Sequence, residues 1–118
     1  MDRSNIEEPL RSAVDEEKHR NGEMHINVAF RLNDLAKYLA AQMRLVDAEP
    51  ILNEAVSVVA YNTLQAGSPM PSDESLTIIT NYQTLLRMLG LNRTQRMMRL
   101  NAALEWAMGV RISEENEM

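Results

Sequence analysis

The stretch Leu32–Ala55, LNDLAKYLAAQMRLVDAEPILNEA, decides the fold, because its spacing specifies two antiparallel helices joined by a short turn. On the first helix Val28, Leu32, Leu35, Ala36, Leu39 and Met43 recur at helical spacing, and on the second Ala48, Leu52, Ala55 and Val59 do the same. Both stripes need something to cover them. Small residues, Ala36 and Ala48, stand where the two backbones would approach, and larger side chains fill the space between, the arrangement of a helical hairpin. Extended to the whole chain, this predicts an all-α fold in which antiparallel helical hairpins stack as a short α–α superhelix of about five helices.

Composition narrows the classes. At 118 residues the chain has the size of one domain, long enough to share a single core. Phe, Trp and Tyr make up only 4% of it, so Leu, Ala and Met must carry that core. Those are strong helix formers, and no stretch alternates apolar and polar residues long enough to suggest a strand. The absence of cysteine excludes disulfides, thiolate metal sites and a cysteine nucleophile, and fits a cytoplasmic protein. No signal-peptide pattern opens the chain and no apolar run approaches a membrane span, so the expectation is a soluble, unsecreted protein with no membrane partner.

The net charge of −5 argues against nucleic acid as a partner, but the charge is unevenly spread. Arg87, Arg93, Arg96 and Arg99 fall within residues 87–100, where there is no acid, whereas Asp15, Glu16 and Glu17 lie near one end and Glu114, Glu115 and Glu117 near the other. The arginines read either as a solvated helix face or as a clamp for phosphate or an acidic peptide.

In chain order, residues 5–21 form a first helix with Ile6, Leu10, Ala13 and Val14 on one face and Pro9 in its first turn, closed by Asn21-Gly22. A second helix runs from about His25 to Met43. The third starts near Val46 or Asp47, with Asp47 as N-cap and Pro50 in the first turn, and continues to Ala66. Residues 67–72, GSPMPS, are the one Pro/Gly/Ser-rich loop. Ser72 or Asp73 caps a fourth helix with Ile79, Tyr82, Leu86 and Leu89 inward. A fifth, from about Asn92 to Gly109, carries the stripe Met97, Leu100, Leu104, Ala107 and Met108. An acidic tail follows over 110–118, frayed from Ser113 onward.

The chain also matches itself. Glu8-Pro9-Leu10 falls on Glu49-Pro50-Ile51, Ala13-Val14 on Ala55-Val56, and Gly22 on Gly67, shifts of 41, 42 and 45 residues that indicate a two-helix repeating unit. At these residues the sequence resembles the tetratricopeptide repeat (TPR) in its longer, kinesin-light-chain-like form. His25-Ile26-Asn27-Val28-Ala29 matches the lead of that repeat, Leu32-Asn33-Asp34-Leu35-Ala36 its middle and Ala48-Glu49-Pro50-Ile51 its end. Thr80-Asn81-Tyr82 with Leu85-Leu86 and Gly90 resembles a second copy, and Glu7-Glu8-Pro9-Leu10 the second helix of a further unit. Met43 stands where the family has its turn glycine, Asp34 where it has a second asparagine, and Gln95 where Ala48 stands in the central repeat. The resemblance implies an unpaired second helix over 5–21, one repeat over 25–66 and a degenerate repeat over 73–109.

It also implies a function. TPR proteins expose their first helices on a groove that grips an extended peptide or a partner helix, which here would be lined by Phe30, Asn33, Asp34, Lys37 and Ala41 and by Thr77, Thr80, Asn81, Thr84, Arg87 and Met88. Asparagine suits such work because its amide both donates to and accepts from a peptide backbone, and Asp34, Lys37 and Arg87 could select side chains. The competing reading of these residues is a solvated helix face. Trp106, with Val110, lies opposite the stripe of its own helix and would serve either a homodimer contact or intramolecular packing. The two functions in view are therefore a module binding a protein or peptide of unknown identity, and a self-associating unit forming a homo-oligomer without a separate ligand. His19 and His25 have no motif partners for metal or triad chemistry, so no catalytic residue, metal or cofactor is assigned.

Overall fold

The computed structural model describes residues 4–116, with side chains from residue 6 onward, and these form five helices with no strand among them. They are α1 (Ser4–Asn21), α2 (Ile26–Ala41), α3 (Leu45–Gln65), α4 (Asp73–Met88) and α5 (Arg93–Asn116). The fold is all-α, built from stacked helical hairpins. No described helix is long and apolar enough to cross a membrane.

Three turns share one construction. After α2, α3 and α4 the chain passes through a left-handed residue, namely Met43 (φ 60°), Gly67 (φ 65°) and Gly90 (φ 86°). The amide of each bonds the carbonyl three residues back, while the next amide reaches five back, as in Arg44 N to Leu39 O at 2.9 Å and Leu91 N to Leu86 O at 3.1 Å. These bonds occupy carbonyls that have no partner inside the helix. The starts are equally specified. The Nδ1 of His25 accepts from Asn27 N at 3.1 Å, the Ser72 hydroxyl accepts from Ser75 N at 3.2 Å, and Asn92 and Gln95 form a reciprocal capping box. Gln95, out of place as a packing residue, is thus a cap.

Two boundary expectations are corrected. Asp47 does not cap α3, which begins at Leu45. It sits in the first turn, where its carboxylate faces the positive helix end and pairs with Arg44 at 3.0 Å. Both prolines lie one turn deeper than expected, within rather than at the start of α1 and α3. Pro50 leaves the carbonyl of Val46 without its helical donor, a loss water can make good because Val46 is 76% exposed.

The core sits around α3. Its residues Ala55, Val56, Ser57, Val58 and Val59 are buried in unbroken succession, which a single stripe would not produce, because α2, α4 and α5 pack on different sides of it. Leu32, Leu35, Ala36 and Leu39 of α2 close on one side, and Ile78, Tyr82, Leu85 and Leu86 of α4 on another. Ile79 and Leu89, expected inside, are only half-buried. Leu39, Leu86 and Ile78 are almost fully removed from water, each worth about 1.5–3 kcal/mol of transfer free energy.

The flanking helices depend more on small residues and charge. On α1 Val14 and the carboxylate residue Glu17 are the buried positions among the described residues, Leu10 and Ala13 are half-buried and Ile6 is 41% exposed. Arg44 bonds the Glu7 carboxylate across to α1, and Arg11 joins it at 2.9 Å. First Arg44 and then Arg11 hold the Glu7 carboxyl below its ordinary range. On α5 the expected stripe is largely displaced: Ala107 is buried as expected and Ala103 joins it, whereas Met97, Leu104 and Met108 are 43–49% exposed and Leu100 is half-buried. The reason is that α5 lies chiefly against α3, with little contact to α4, and two alanines let the backbones close up. The helix also runs through Gly109 to Asn116 instead of ending near Gly109 and fraying from Ser113, and Tyr61 of α3 donates to the Glu114 carboxylate on this last stretch. Of the expected tail, residues 117–118 lie outside the described residues.

Candidate functional site

Helices α2 and α4 run side by side in the same direction, and the residues between them are those the repeat pattern singles out. Asn81 Nδ2 donates to Asn33 Oδ1 at 3.0 Å across the two helices. Lys37, Asn81, Thr84 and Met88, with Ala36 and Ala40, line a shallow recess of about 100 Å³. The bond between the asparagines leaves the Asn33 amide with donor capacity and Asn81 with acceptor capacity, the pair of functions that addresses one peptide unit. Met88, 51% exposed, supplies an apolar rim, and Lys37 the charge.

The remaining groove candidates behave differently. Asp34 and Ala41 are exposed, as is Thr77, whose hydroxyl is turned back onto Asp73 O at 3.2 Å. Thr80 is exposed as well. Phe30 is not on a polar outer face: it is half-buried against the core, an apolar ring filling the edge of the α2 stripe. Arg87 borders a different recess, of about 280 Å³, at the α4–α5 turn, together with Gln83, Arg93, Arg96, Met97 and Leu100. Of the four arginines read together in the sequence, Arg99 is engaged elsewhere, bonding Glu49 at 2.8 Å.

A larger cleft lies on another side of α3, where α1, α3 and α5 converge. It encloses about 540 Å³ and includes Met24, Pro50, Val58, Ala102 and Trp106 on its apolar surface. Lys18 and Glu54 pair at its rim at 2.8 Å. Trp106 is 49% exposed and stands in this cleft, with Val110 half-buried farther along α5. The cleft was not legible beforehand. Its one signal was the polar set Asn53, Glu54 and Ser57, grouped on one side of a largely apolar helix.

Between the two sides runs a polar link that positions them. Asn53 Nδ2 donates to Tyr82 Oη at 2.8 Å, Tyr82 donates to Glu49 at 2.9 Å, and Arg99 completes the Glu49 carboxylate, tying α4 and α5 to α3. Tyr82 is wholly inside, and burial pushes its phenol up to about 12. Its proton is therefore a fixed donor in the neutral range. His25 is committed as a cap, and among the described residues no three His, Asp or Glu side chains gather as a metal site.

Comparison with family models, curated proteins and solved structures finds no match to this chain.

Proposed function

We propose that the chain is a protein-interaction module whose α2–α4 face takes an extended peptide or a partner helix. The observation that carries the reading is the Asn33–Asn81 hydrogen bond, which sets two amides side by side with unspent donor and acceptor capacity, next to the Lys37 charge and the Met88 rim. A peptide laid along the two helices would exchange backbone hydrogen bonds with these amides and bury an apolar side chain against Ala40 and Met88. The resemblance of residues 25–51 and 80–90 to tetratricopeptide repeats supports the same reading, as does the parallel course of α2 and α4. A cytoplasmic setting, suggested by the cysteine-free composition, belongs to this proposal.

The test is selection of binding peptides from a displayed library on the immobilised chain, followed by calorimetry. Asn81→Ala combined with Lys37→Ala should weaken the selected peptides by about tenfold or more, the effect of losing one or two hydrogen bonds to a charged or backbone group. Trp106→Ala should leave them unchanged. Peptides that bind the double variant as tightly as the parent chain would remove the basis for this surface.

A further inference from the structure

The face of α5 turned away from Trp106 is the face that a zipped α4–α5 hairpin would bury. The lean of α5 onto α3 leaves it open: Met97, Leu104, Met108 and Ile112 are 49%, 43%, 46% and 53% exposed. At about 100° per residue these four fall on one side of the helix, and Arg93 and Glu115 continue the same line beyond its two ends. The charge along α5 is polar in the literal sense. Arg93 and Arg96 stand at its start beside Arg87, with no acid near them in sequence, and Glu114 and Glu115 stand at its finish.

We propose that this face pairs with the same face of a second copy, the two α5 helices running antiparallel about a two-fold axis at Leu104. In that register Leu104 meets its own counterpart, Met97 of each copy lies beside Arg111 and Ile112 of the other, and Arg93 of each meets Glu115 of the other. The acidic end of one helix then lies over the arginine-lined recess of its partner. An apolar line with complementary ends is self-matching only in the antiparallel sense, because a parallel pair would set arginine against arginine. Leu104, Met108 and Ile112 provide the desolvated centre, and the arginines fix direction. This contact uses none of Asn33, Lys37, Asn81 and Met88, so it can fail while the peptide-binding reading stands, and the reverse.

The chain has no cysteine, which makes the register directly testable. Leu104→Cys should give a disulfide-linked dimer on mild oxidation, since two thiols would face one another on the axis, whereas Trp106→Cys should not. In sedimentation velocity the parent chain should be dimeric at micromolar concentration, and Leu104→Glu should be monomeric with unchanged helicity. Arg93→Glu or Glu115→Arg alone should weaken the dimer by about tenfold through two symmetric exposed pairs, and the two together should restore it. The restoration matters because Glu115 also pairs with Arg111 within its own helix at 3.6 Å. A chain that stays monomeric throughout, a dimer indifferent to Leu104→Glu, or a double charge exchange that fails to restore association would each overturn the proposal.

Discussion

Met43 closes α2 in a left-handed conformation that glycine adopts freely, and it is the only non-glycine residue to do so among those described. Replacing it with glycine should stabilise the protein. For an L-residue this backbone brings Cβ close to the following carbonyl oxygen and costs about 1–2 kcal/mol. Against that, the Met43 side chain is 72% exposed, so truncation gives up only about 0.5 kcal/mol of burial. The greater freedom of glycine in the unfolded chain costs about 0.5 kcal/mol more. The balance is a gain of about 0.5 kcal/mol, read as a higher urea midpoint with an unchanged slope when unfolding is followed by far-ultraviolet circular dichroism. The matching turn provides the control. Gly90 has the same hydrogen bonds, and a Cβ added there meets no atom within 4 Å, so Gly90→Ala isolates the backbone term and should lose about 1 kcal/mol. If Met43→Gly lowered the midpoint while Gly90→Ala left it alone, the equivalence of the two turns would be wrong.

Two other outcomes follow from the packing. Tyr82→Phe should cost about 1–2 kcal/mol by leaving Glu49 and Asn53 short of a partner. Because the folded phenol titrates near 12 and the unfolded one near about 10, the native protein should keep this contribution below pH 10 and lose it as the pH rises through 12, a loss absent from the variant in pH-dependent urea titrations. Ala107→Leu should force α5 away from α3 at a cost of about 1–3 kcal/mol, since Ala107 has no exposure to give; a thermal midpoint matching that of the parent chain would mean that α5 is not seated as described.

What could be read from the residues alone was what local physics determines. Five helices, their turns at Gly22, Gly67 and Gly90, and the inward stripe of α2 as far as Leu39 follow from periodicity, capping side chains and left-handed turn positions, all of which act within a few residues, whereas Met43, expected in that stripe, lies beyond the helix as an exposed turn residue. The resemblance placed Asn33 and Asn81 on one groove, but their hydrogen bond was decided by how α2 and α4 pack, since they stand 48 residues apart and outside the repeat shifts of 41–45. Tertiary structure decided the rest. Helix α5 carries apolar residues on two faces, and its period cannot rank alanine against leucine and methionine. Ala103 and Ala107 were buried because small side chains allow close approach to α3, and the bulkier stripe was left outside. The cleft beside Trp106 needed three helices to exist at all, and Phe30, on the polar side of its helix by position, is half-buried because neighbouring helices cover its ring.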